Sequence, residues 1–174
     1  MKFSFKNDYS EGCHPKILEA LSQYNLDQQN GYGLDIYSEN AANIIREKSK
    51  SPESKVHLVS GGTQANLIVI SSILRPHESV VSANTGHIFT NETGAIEATG
   101  HKVHGVETKD GKLRPEDIQN VLDVHTNVPH QVKQKLVYIS NSTEVGTIYT
   151  KKELDNLSEF CKKRTYIFLW MGLD

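Results

Sequence analysis

Residues 55–82 decide the fold. Lys55-Val-His-Leu-Val-Ser60 is a short β-branched run, Gly61-Gly62 interrupts it, Thr63 to Leu74 places apolar residues at helical spacing, and Ser79-Val-Val-Ser82 returns to an extended pattern. Strand, helix and strand in that order predict a β-α-β unit. The alternation continues outward. Further strands are expected at Lys102-Val-His-Gly-Val106, Lys135-Leu-Val-Tyr-Ile139 and Tyr166-Ile-Phe-Leu169, with helices at Asn91 to Thr99, Pro115 to His125 and Lys151 to Lys163. The third helix opens with Pro at its first position and acids in its first turn, which is a good start signal. Strands this short and this continuously apolar are expected to be buried on both faces. Right-handed crossovers then give an α/β fold: a mostly parallel sheet with helices on both faces.

The amino-terminal 50 residues read differently. Pro15 to Tyr24 and Asn40 to Lys50 are two helical segments joined by a loop containing Gly31-Tyr-Gly33, with no strand between them. We therefore expect a helical arm over 1–50 ahead of an α/β domain over 51–174, with Ser49-Lys-Ser-Pro-Glu-Ser54 as an exposed linker. No repeat or low-complexity tract is present.

Composition narrows the function classes. The 174 residues are 37% hydrophobic and 23% charged, with a net charge of −2 and a pI near 6.4, so no basic stripe points to nucleic acid. Tyr166 to Trp170 is too short to span a bilayer, and Met1-Lys-Phe-Ser-Phe-Lys6 lacks the apolar centre of a signal peptide. No membrane partner and a cytoplasmic location are expected. Cys13 and Cys161 are the only cysteines; they form no zinc-type pair and no disulfide framework, and no metal site is expected.

Three polar segments could carry chemistry. Ser60-Gly-Gly-Thr63 opens directly into a helix, where glycines permit close backbone approach, the first-turn N–H groups are free and the Thr63 hydroxyl adds a donor. A phosphate would suit it. The same residues also suit an ordinary β-α turn with Thr63 as the cap, and they match neither a dinucleotide fingerprint nor a P-loop. The second segment, Asn84-Thr-Gly-His-Ile-Phe-Thr-Asn-Glu-Thr-Gly-Ala95, puts His87 and Glu92 after a strand, at the edge where α/β sheets collect ligands. The third, Ile139-Ser-Asn-Ser-Thr-Glu-Val-Gly146, runs from a strand into a polar loop at that same edge.

Together, Ser60-Gly-Gly-Thr-Gln-Ala-Asn66, His87-Ile with Glu92-Thr-Gly-Ala95, and Leu136-Val-Tyr-Ile-Ser-Asn-Ser-Thr-Glu-Val-Gly146 resemble the low-specificity L-threonine aldolases. These belong to the aromatic amino acid β-eliminating lyase/threonine aldolase group of fold-type-I pyridoxal-phosphate enzymes. The likeness begins at Phe5-Lys-Asn-Asp-Tyr-Ser-Glu-Gly12 and takes in Gly31-Tyr-Gly33 and Tyr37. It implies a transferase-like large domain binding pyridoxal 5'-phosphate, and retro-aldol cleavage of a β-hydroxy-α-amino acid, L-threonine or L-allo-threonine, to glycine and acetaldehyde. By resemblance, Gly61, Gly62 and Thr63 form the phosphate cup, with Asn141 as a further cofactor contact. His87 stacks on the pyridine ring and assists proton transfer, and His130 is a second catalytic histidine at the pocket rim. Asp8 and Ser10 meet the substrate carboxylate, and Tyr37 reaches a neighbouring subunit's site. The family also implies a homotetramer. Alternatives are a β-eliminating lyase acting on an aromatic or sulfur-bearing amino acid, and a non-catalytic fragment that binds a phosphorylated ligand or pairs with family subunits.

The chain departs from the family at Phe168-Leu-Trp-Met-Gly-Leu-Asp174, where an Asp-Gly-Ala-Arg motif is expected. That Asp would keep the pyridine nitrogen protonated, and the Schiff-base lysine would follow one strand later; this chain has neither in place. Trp170 and Met171 have single codons, and shifting their frame back by one base forces Asp-Gly and permits Ala-Arg. The expectation is an incomplete, amino-terminal part of such an enzyme, cut by a frameshift, inactive as given and lacking its small domain.

Overall fold

The computed structural model describes Ser4, Asn7 and residues 10–127 and 129–172. It divides into two compact units, 1–59 and 60–174.

The first unit is helical. α1 spans Pro15–Tyr24, with Pro at its start and His14 Nδ1 accepting the Lys16 N–H at 3.2 Å. α2 spans Ile36–Lys48. It begins four residues before the expected Asn40 because Asp35 caps it, accepting both the backbone N–H and the hydroxyl of Ser38 at 2.7 Å. Those bonds favour the ionised Asp35 carboxyl and lower its pKa.

The expected strand over 55–60 does not form. Residues 55–60 join no ladder, and Leu58 and Val59 are exposed. Local β propensity describes fitness for a pleated, half-buried surface and cannot make a strand without a partner.

The second unit holds the α/β fold. Its elements are α3 (Gly62–Ile73), β1 (Glu78–Ala83), α4 (His87–Thr90), α5 (Ala95–Ala98), β2 (Val103–Val106), α6 (Pro115–Val124), β3 (Lys133–Asn141), α7 (Lys151–Lys163) and β4 (Ile167–Gly172). The four strands are all parallel, in the order β2-β1-β3-β4. Where a single helix was expected over 91–99, only the four-residue α5 stands, and a separate four-residue helix, α4, precedes that range. Thr93 (φ 55°) and Gly94 (φ 74°) take left-handed backbone and break the helical path between them.

Alternation along the strands builds a core on each face. Val81, Ala83, Val137 and Ile139 point to one side and pack with Leu113, Ile118, Leu157 and Cys161 of the α6–α7 layer. Val80, Leu136 and Tyr138 point to the other and pack with Ile70, Leu74, Ile88 and Ile96 of the α3–α4–α5 layer. Two-sided burial explains why these strands lack polar residues at alternate positions. Among the described residues, no helix is long and apolar enough to cross a membrane.

Candidate active site

All strands run the same way, so their carboxyl ends share one edge, and β1 and β3 are neighbours there. β1 leads to His87 through Asn84-Thr-Gly86, and β3 leads to Glu144 through Asn141-Ser-Thr143. Sheet order therefore joins side chains 57 residues apart: His87 Nδ1 lies 3.0 Å from Glu144 Oε1. The carboxylate can only accept, so the ring nitrogen donates. The other nitrogen, Nε2, faces Glu92 Oε1 at 3.4 Å.

The α3 layer closes this group from behind. Asn66, buried on the second turn of α3, donates Nδ2–H to Glu92 Oε1 at 2.8 Å. Asn91 donates to the second oxygen of Glu144 at 3.0 Å. Glu92's side chain is fully shielded while His87 remains partly open, at 24% exposure. Glu92 Oε2 and Ser140 Oγ are buried without a hydrogen-bond partner among the described residues, a costly state for groups removed from water. Tyr138 donates its hydroxyl to Met171 Sδ at 2.8 Å. Burial pushes its phenol up to about 12, and the charges of Glu92 and Glu144 add to the effect.

The amino end of α3 supplies the donor group. Its cap is Gly61, not Thr63, and no side chain occupies the capping role. Gly61, Gly62 and Thr63 are exposed, and the Thr63 hydroxyl has no hydrogen-bond partner among the described residues. Open space surrounds the Cβ position of Gly61, whereas a Cβ on Gly62 would come within 2.7 Å of Met171 Cε. Gly62 thus serves the approach of β4 to the helix. Asn66, one turn further along α3, ties this end to Glu92 and so to His87.

Other expected site residues stand elsewhere. Asn141 ends β3, but its Oδ1 accepts the Tyr149 N–H at 3.0 Å and so organises the loop. His130 is exposed just ahead of β3, at the amino-terminal edge; nine residues of strand, roughly 3.3 Å each, separate that edge from the one bearing His87. In the first unit, Ser10 donates to Asn7 Oδ1 at 2.5 Å. Tyr37 donates its hydroxyl to Asp27 Oδ2 at 2.6 Å and packs its ring on Tyr24; the Asp27 acceptor raises its phenol to about 12. Asp8 lies outside the described residues. Sequence reading placed His87 and Glu92 together but assigned nothing to Asn66, Tyr138 or Glu144. Their roles depend on which strands are adjacent and carry no local signal.

Comparison with known proteins bears on this edge. Residues 9–170 match the family described as Beta-eliminating lyase. A protein of Pseudomonas sp. named low specificity L-threonine aldolase is 31% identical over 161 residues, covering 91% of this chain and 46% of its own length. The solved structure of Leishmania major threonine aldolase superposes with a TM-score of 0.92 at 50% identity, covering 97% of this chain and 49% of that one. A PLP-bound C-S lyase from Staphylococcus hominis shares the fold, with a TM-score of 0.59 at 13% identity over 88% of this chain and 39% of its own. The chain thus spans about half the length of the aldolases that it matches.

Proposed function

The chain belongs to the beta-eliminating lyase family, and from that premise we propose that its sheet edge is the cofactor and substrate side of a pyridoxal 5'-phosphate-dependent threonine aldolase. The reaction is cleavage of L-threonine or L-allo-threonine to glycine and acetaldehyde. When bound, the cofactor supplies an electron sink for the carbon–carbon bond that breaks. The observation that carries this reading is the free donor set at the start of α3, tied through Asn66 and Glu92 to a partly open histidine.

The chain's own residues fit such a ligand. First-turn N–H groups and the Thr63 hydroxyl would hold a phosphate, favoured by the helix dipole, and Gly61 leaves room for its oxygens. His87 would offer its ring to the flat part of the cofactor, and the unpartnered Glu92 Oε2 and Ser140 Oγ leave polar capacity beside it. The same proposal assigns Asn141 to the cofactor and Asp8, Ser10 and Tyr37 to the substrate; His130, at the opposite edge of the sheet, would not line this chain's own cup. It places the assembled enzyme as a cytoplasmic homotetramer in amino acid metabolism, on the strength of the family resemblance.

Comparing pyridoxal 5'-phosphate with pyridoxal tests the cup directly. The phosphorylated form should bind more tightly, and Thr63→Val should remove roughly tenfold of that preference, the worth of one hydrogen bond to an anion. Equal binding of the two forms would sink the assignment. The family description favours a second reading, β-elimination from an amino acid. Products formed by a full-length chain separate the two: glycine with acetaldehyde for the aldolase, pyruvate with ammonia for the eliminating lyase.

A further inference from the structure

Both nitrogens of His87 lie close to carboxylates, and Nδ1 is hydrogen-bonded to one of them. Nδ1 is 3.0 Å from Glu144 Oε1 and Nε2 is 3.4 Å from Glu92 Oε1. Each carboxylate is anchored in turn: Glu144 by Asn91, and Glu92 by Asn66 and complete burial. The carboxylates and their anchors come from three places in the chain, α3, the segment after α4 and the loop after β3. Turning the ring to aim a nitrogen elsewhere would break the Glu144 bond and leave a buried carboxylate facing the ring's carbon edge. His87 keeps 24% of its side chain exposed.

We propose that Glu144 is a positioning residue that holds the Nδ1 edge of the His87 imidazole while Glu92 walls off the Nε2 edge, so that His87 meets a ligand with its ring face and not with a nitrogen. The clamp is a property of the free chain. Only the identity of the group lying against the face rests on the cofactor reading above. A consequence is that His87 does not itself take a proton from a bound hydroxyl, since neither nitrogen is free to approach it.

Heteronuclear NMR of the chain with isotope-labelled histidine reports which ring nitrogen carries a proton. The clamp gives His87 a fixed Nδ1–H form, with that proton protected from exchange. Glu144→Ala should release it, shifting the ring to the opposite or an averaged tautomer, and Asn91→Ala should move it part of the way. His104, on the other face of the sheet, serves in the same spectra as a reporter that each variant is folded. A wild-type His87 that averages between tautomers and ignores both substitutions would overturn the clamp. Adding pyridoxal 5'-phosphate alone then distinguishes the two readings. A ring-current shift of the carbon-bound His87 protons supports face-on contact. A fixed tautomer with no such shift keeps the clamp and removes the cofactor from its face.

Discussion

At the scale of single residues, Gly86 sets where His87 stands. A Cβ added there would lie 2.3 Å from Ser82 Oγ and 3.0 Å from the Ala83 carbonyl oxygen. The Ser82 hydroxyl can rotate away, but the carbonyl belongs to β1 and cannot. Gly86 has φ −66° and ψ 149°, which alanine adopts freely, so the cost of Gly86→Ala is purely steric. Overpacking of this kind costs about 1–3 kcal/mol, read as a lowered urea midpoint with an unchanged slope. Gly61→Ala is the contrasting case. Nothing lies within 4 Å of its Cβ position, so stability should change by less than about 0.5 kcal/mol while binding of a phosphate weakens. A large stability loss at Gly61, or none at Gly86, would refute this division of roles. The motif containing Gly61 was legible from the sequence because its chemistry is local: adjacent glycines, a threonine and a helix start. The partners of His87 were only half legible. Glu92 lies five residues away, whereas Glu144 arrives through the adjacency of β1 and β3, which no local pattern specifies.

Among the elements, α7 was fully legible and 55–60 was not, and energetics explains the contrast. α7 carries its own start signal: Thr150 accepts the Glu153 N–H at 3.3 Å, and Glu153 accepts the Thr150 N–H at 2.7 Å, forming a capping box. Leu157 and Cys161, four apart, bury one stripe against the sheet. These two contributions can be separated by mutation. Thr150→Ala should cost about 1 kcal/mol, the usual worth of a cap, whereas Leu157→Ala should cost about 2–5 kcal/mol through lost burial and a residual cavity. If denaturation curves gave the two variants equal losses, packing would not dominate this helix. The 55–60 run has apolar β-branched residues, yet a strand takes its hydrogen bonds from a neighbour, and no described neighbour pairs with it. Sequence reports the propensity of a strand but not its partner. The interior strands, β1 and β3, were legible at their centres, where burial on both sides leaves Val80-Val81 and Leu136 to Ile139 apolar without alternation.

For the molecule as a whole, acid should act in two stages, set by groups on the sheet's α6–α7 side. His104 on β2 is buried, packed edge-on against His125 with ring centroids 4.5 Å apart, and its Nε2 faces Gln134 Nε2 at 3.3 Å. Burial, then the neighbouring His125 and Lys102, push its pKa from 6.5 down to about 4. The folded state thus refuses a proton that the unfolded chain accepts below pH 6.5. Stability contributed in this way is complete above that pH and falls as pH drops toward 4, by up to about 3 kcal/mol. The second stage belongs to carboxylates. Arg114 holds Asp110 down to about 2, and Lys112 with the Thr150 cap does the same for Glu153. Their contribution is present above the ordinary carboxylate range and disappears as pH falls toward 2. Both groups face solvent, so salt should flatten this stage while leaving the buried His104 stage in place. Urea midpoints measured from pH 7.5 to 2.5 should fall in two limbs, and His104→Leu should abolish the upper limb alone. A His104→Leu protein that still loses stability between pH 6.5 and 4 with the wild-type slope would show that another group refuses the proton.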